Sequence, residues 1–340
     1  MTRRTIATVG CLLSAAGLGC DGTLPSPAAI TYIYADGVGN GEIVGADPRS
    51  GRTIALLAFP SGAAEVLGTL LFDGTTAYYA DDSAGVPGAT TDVSSIRSIG
   101  LAGGTPTTLV TGLDVVDGIA VDADSLYFVD YYKDAALDIS SAVSFIGKAP
   151  RGGGSFVKLV DGVPGRLEGV AVSGGSLYWS SATDGTVNRI STAGGEPTVV
   201  ATGQGTVYRL AADDSGVYWV NGGQAFVDCD LTDGSIESVP AGSSAAVTVV
   251  GGIDNLSSVV VSAGTVYFTM VGAQGCDSPS NLPPGGAVVE VPPGQSAGVP
   301  LATGLSSPFD LFVDDGVLDY TDTSAGYVRT PHTVSLGPTD

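Results

Sequence analysis

Asp117, Glu168 and Asp310 each lie at the head of a short apolar run, in "DGIAV", "EGVAV" and "DLFV". Three carboxylates gathered at one place could hold a hard cation such as calcium through their oxygens. Held apart, they are solvated rim charges. Tyr208 and Arg209 occupy the same place in "YRLAA", so the ligand-binding set read from the sequence is Asp117, Glu168, Tyr208, Arg209 and Asp310. The three carboxylates within it are the metal candidates. No residue is assigned a catalytic role, because no G-x-S-x-G or H-E-x-x-H occurs and the one histidine, His332, lies in the C-terminal tail. "GKAPRGGG" (147–154) lacks the spacing of a phosphate loop, and "GVGNGE" (37–42) opens no predicted helix and so does not read as a dinucleotide site.

Whether those five side chains meet depends on the elements that carry them, and these repeat. "GIAVDADSLYFVD" (118–130) matches "GVAVSGGSLYWSS" (169–181), "RLAADDSGVYWVN" (209–221) and "SVVVSAGTVYFTM" (258–270). "TLLFDGTTAYYAD" (69–81) and "DLFVDDGVLDYTD" (310–322) are weaker copies. Each unit holds an apolar run, a turn, an aromatic run, a variable loop and two further strand-like runs around a hinge such as "AGG" (193–195). Four short strands per unit with turns between them predict an all-β fold, a β-propeller. "TYIYAD" (31–36) adds a seventh aromatic strand with no apolar strand before it. The reading is therefore seven blades of four strands, the first completed from the other end by "TVSL" (333–336), with six blades as the alternative. In either count the loops leading into the first strands gather at one mouth of the central channel, where the five residues would converge.

The aromatic strands "LYWSS" (177–181), "LYFVD" (126–130), "VYFTM" (266–270) and "LDYTD" (318–322) resemble the YWTD repeats of the β-propeller family that includes the low-density-lipoprotein receptor, although the quartet itself occurs in none of them. The resemblance covers nearly the whole chain after its first residues and implies a propeller with a binding role. Alternation sends successive side chains to opposite faces of a blade, and blades pack face to face, so Trp179 and Trp219 are expected between blades. Asp36, Asp81, Asp130 and Asp322 close aromatic strands, where a carboxylate can accept local backbone N–H groups.

Composition sets the outer limits. With 44% hydrophobic and only 14% charged residues, disorder is excluded, and a net charge of −22 sets nucleic-acid binding aside. "MTRRTIATVGCLLSAAGLGC" (1–20) has a positive start, a short apolar stretch and a cysteine, and resembles a bacterial lipoprotein signal. The expected organisation is a signal over 1–19, a spacer over 20–29 tethered by lipid on Cys20, and one propeller domain over 30–340. Cys229 and Cys276 remain as an even pair, read as a disulfide between neighbouring blades in an oxidising compartment.

Together these features predict an exported, monomeric propeller at the bacterial cell envelope. It binds a protein or small molecule at its mouth, touches the membrane only through the lipid, and needs no cofactor unless calcium occupies the three carboxylates. The alternative is a metal-dependent propeller hydrolase or lyase. A periplasmic or secreted protein is the alternative location.

Overall fold

The computed structural model describes residues 31–37, 40–47, 52–58, 67–73, 75–81, 94–132, 142–222, 234–253, 255–271, 285–314, 317–324 and 328–336. The expected signal and spacer, Cys20, Cys229 and Cys276, and the bulk of the long loops at 82–93, 133–141 and 272–284 lie outside them. No helix among the described residues is long and apolar enough to cross a membrane.

The described chain is antiparallel sheet throughout. A three-stranded sheet comes first: β1 (Thr31–Gly37), β2 (Asn40–Asp47) and β3 (Arg52–Ala58). Five four-stranded sheets follow. The first is β4 (Leu67–Asp73), β5 (Thr76–Asp81), β6 (Ser94–Gly100) and β7 (Thr107–Leu113). The second is β8 (Val115–Val121), β9 (Ser125–Tyr132), β10 (Val143–Pro150) and β11 (Val157–Pro164). The third is β12 (Leu167–Ser173), β13 (Ser176–Ser181), β14 (Thr186–Ser191) and β15 (Thr198–Ala201). The fourth is β16 (Val207–Asp213), β17 (Gly216–Asn221), β18 (Ser235–Pro240) and β19 (Val247–Gly251). The fifth is β20 (Leu256–Ser262), β21 (Thr265–Met270), β22 (Gly286–Val291) and β23 (Val299–Leu305). A last three-stranded sheet holds β24 (Pro308–Asp314), β25 (Val317–Ser324) and β26 (Val328–Ser335).

This is the β-propeller that the repeats predict, with five four-stranded blades among the described residues. Its first strands neighbour one another in chain order, β4 to β8 to β12 to β16 to β20 to β24. The circle closes where Phe72 of β4 meets Phe312 of β24, ring centroids 4.8 Å apart and planes at 75°. Among the described residues, six first strands therefore surround the axis. The sheet β1–β3 contributes none of them and sits with β1 alongside β26 and β25. Residues 333–335, expected to complete the first blade, lie in β26, where Thr333, Val334 and Ser335 pair with Asp319, Leu318 and Val317 of β25 while the strand also runs alongside β1 of the first sheet. β25 is the partner with a matching antiparallel face, and it takes the whole length of β26.

The core lies between blades. Trp179 is buried with Val170 and Leu177 of its own blade and Tyr127, Val129 and Ile146 of the preceding one. Trp219 repeats this against Val187 and Ala201. The next residues along β17 turn the other way, so that Tyr218 and Val220 pack on Val259, Val266 and Phe268 of the following blade. Such a strand buries both faces, which is why it reads as a continuous aromatic and apolar run instead of an alternating one. Truncating Trp219 would cost about 3–5 kcal/mol on these grounds.

Candidate functional site: the charged mouth of the channel

The first strand of each of the six axial sheets departs from regular pairing at the same register. Pairing with the second strand breaks between Leu67 and Leu70, Val116 and Gly118, Leu167 and Val170, Val207 and Leu210, Leu256 and Ser258, and Pro308 and Leu311. A bulge bends the strand and re-aims the residues it contains. All five residues of the predicted set fall inside these bulges: Asp117, Glu168, Tyr208 with Arg209, and Asp310. The backbone of Asp310 is thus at the expected place, but its side chain lies outside the described residues.

The bulges also need glycine. A Cβ on Gly169 would stand 2.8 Å from Leu210 Cδ1 and 3.0 Å from the Tyr208 carbonyl oxygen, because the next blade's first strand approaches its backbone directly. Gly118 faces Val170 in the same way. This close approach brings the mouth residues of successive blades within reach of one another.

At the centre stands a residue that the sequence reading passed over. Arg166 Nε donates to Asp117 Oδ2 at 2.6 Å, and its Nη1 lies 3.4 Å from Glu168 Oε1. Its guanidinium sits over the Tyr131 ring, 5.4 Å from the centroid. Side-chain exposures of 16% for Asp117, 20% for Glu168 and 31% for Arg166 place the group in a wall that still meets solvent. The Tyr208 ring lies beside Gly222, which follows β17 of the same blade. Arg209 acts on both carboxylates from beyond ion-pair distance.

Burial pushes the Asp117 carboxyl above its usual range, although the Arg166 bond and the fields of Arg166 and Arg209 pull the other way. Glu168 is raised for the same reason, with the neighbouring Asp117 charge adding to the effect. Burial opposes the charge on Arg166, yet the Asp117 bond and both carboxylates hold it firmly protonated. Burial also lifts the Tyr208 hydroxyl. The site is therefore a mixed-charge surface with a guanidinium between its two carboxylates. Among the described residues no three His, Cys, Asp or Glu side chains gather as metal ligands do.

Two of the strand-closing carboxylates, Asp130 and Asp322, are structural, while Asp81 pairs with Arg97 at 3.2 Å and the Asp36 side chain lies outside the described residues. Asp130 Oδ1 accepts N–H groups from Asp114 at 3.0 Å and Val115 at 2.8 Å, and Asp322 accepts those of Ser306 and Ser307 at 3.1 and 2.7 Å. Asn221 does the same for Gly205 at 3.0 Å. Each fixes the loop that leads into its blade's first strand, and so fixes the mouth. In the third axial blade, where Ser181 replaces the Asp, Ser144 of the preceding blade bonds Gly165 O and Leu167 N instead.

Comparison with solved structures agrees on the fold. The chain is similar to a crystal structure of a nidogen/laminin complex, at 19% identity and a TM-score of 0.52 over 77% of this chain and 89% of that one. It is also similar to the computationally designed Ika8 protein, at 14% identity and a TM-score of 0.53 over 91% of this chain and 96% of that one. A third likeness is to prolyl endopeptidases, at 12% identity and a TM-score of 0.53, where the match spans 92% of this chain but 51% of the other. No family model and no curated protein matches the chain. At these identities the shared property is the β-propeller fold.

Proposed function

We propose that this protein is a non-catalytic binding propeller of the bacterial cell envelope, exported by residues 1–19, tethered through lipid on Cys20, and binding a protein partner at the channel mouth. The observation that carries the reading is the cluster of Asp117, Arg166, Glu168, Tyr208 and Arg209. Its ion pairs join two adjacent blades, Tyr208 and Arg209 of the next blade act on them through their fields, and the group remains partly open to solvent. A rigid ring with variable polar residues on its loops is a common basis for recognition. Occurrence of a similar fold in a nidogen/laminin complex supports a protein as the partner class.

Affinity capture from gently solubilised envelope tests this reading, with Asp117→Lys and Glu168→Lys as the comparison. A partner held by the wild type and lost by both variants supports it; a partner held equally by all three overturns it. Calcium at this mouth would have to compete with Arg166 for Asp117. Melting with and without EDTA tests that point, and an unchanged melting temperature removes both calcium and the metal-dependent hydrolase reading.

A further inference from the structure

The bulge position can be compared around the ring, and it is filled unevenly. Asp117, Glu168 and the pair Tyr208 and Arg209 stand on three adjacent blades, whereas the flanking blades carry Gly68 with Thr69 and Ser257. A charged wall thus borders positions of small or hydroxyl-bearing residues. Within the wall the partners are also uneven. Asp117 and Glu168 are engaged by Arg166. Arg209 is half-buried and makes no hydrogen bond or ion pair among the described residues.

We propose that Arg209 anchors the carboxylate of an Asp or Glu side chain presented by a protein partner. This rests on the reading of the mouth as the binding surface and names what that surface recognises. A guanidinium is a planar, permanently charged fork whose donors match the two oxygens of a carboxylate. Arg209 offers that fork with its donors unused within the described structure. The two carboxylates and two guanidinium groups of the cluster sum to no net charge, so one incoming carboxylate is tolerated. A phosphate would bring about twice that charge toward Asp117 and Glu168 and is disfavoured. The chain as a whole carries −22, which favours a basic body around the single acidic residue and opposes free polyanions. An open wall on three blades suits a group carried on such a body, because surrounding contacts then exclude water from the pair.

The test is a synthetic array of Lys- and Arg-flanked peptides whose central residue is Asp, Glu, Asn, Gln or phosphoserine, probed with the full chain. The expected result is binding that requires Asp or Glu, falls at least tenfold in Arg209→Gln and is partly kept in Arg209→Lys. Both variants should melt within a few degrees of the wild type, since Arg209 makes no hydrogen bond or ion pair among the described residues and acts on Asp117 and Glu168 only through its field. An array with no carboxylate-dependent binder overturns the inference, as does stronger binding of phosphoserine. If Arg209→Gln binds as the wild type does while Glu168→Lys abolishes binding, the Arg209 inference fails and the mouth reading stands. If neither substitution changes carboxylate-dependent binding, both fail.

Discussion

Arg166 and Asp117 meet across a blade boundary, Nε to Oδ2 at 2.6 Å, so that a residue leading into one first strand is fastened to the bulge of the preceding one. Between the second and third axial blades this bond is the polar counterpart of the apolar packing of Trp179 on Tyr127 and Val129.

Removing the guanidinium should therefore cost stability. In Arg166→Met two partly buried carboxylates face each other without their shared cation, and the expected loss is about 2 kcal/mol in urea unfolding. The triple variant Arg166→Met, Asp117→Asn, Glu168→Gln should recover a measurable part of that loss, because the repulsion goes with the charges. A single variant as stable as the wild type would show that the cluster contributes nothing to the fold.

Glu168 gives the pH dependence a definite sign. Burial raises its pKa in the folded state above the unfolded value of 4.5, so folding favours its protonated form. That contribution is fully present below about 4.5 and is lost as pH rises through the folded value. Glu168→Gln should accordingly melt higher than the wild type at pH 7 and draw level as pH falls to 4. A gap that widens on acidification would have the wrong sign.

Glycine at the bulge is a packing requirement. Gly169→Ala would press a methyl group against Leu210 Cδ1 and the Tyr208 carbonyl, at an expected cost of about 1–3 kcal/mol. At Gly152 a Cβ would meet nothing within 4 Å, and Gly152→Ala should stay within about 0.5 kcal/mol of the wild type. Equal effects at the two sites would contradict the close approach of the first strands.

Asp130 holds the lead-in of β8 by its carboxylate. Asp130→Ala should leave the Asp114 and Val115 amides without that acceptor, lowering stability by about 2 kcal/mol and speeding their hydrogen exchange, with Asp130→Asn milder. Unchanged exchange at both amides would remove the structural role given to this position.

The blades were legible because the aromatic strand is buried on both faces and so recurs as a recognisable block, with Trp179, Trp219, Phe128 and Phe268 at one register. The mouth positions followed from the same alignment, since every bulge falls within three residues before the one paired with that aromatic. Arg166 was missed for a physical reason. Its role depends on reach across a blade boundary, which comparing one repeat with another does not display; the cue was a lone basic residue one place before Leu167, beside an acidic neighbour on each of two blades. The pairing of β26 with β25 was not read, although Ser324-Ala325-Gly326 offers a turn between them, because the sequence reading compared first and aromatic strands and did not ask which edge the last strand would take.

Hydrogen exchange of the full chain, with and without the partner recovered by capture, tests the central claim most directly. The account predicts slowed exchange in the amides that lead into the first strands, at 114–118, 165–169 and 205–210, with the outer strands β11, β15 and β19 unaffected. Protection confined to those outer strands, with the three lead-ins unchanged, would place the binding surface on the rim of the ring and contradict the account.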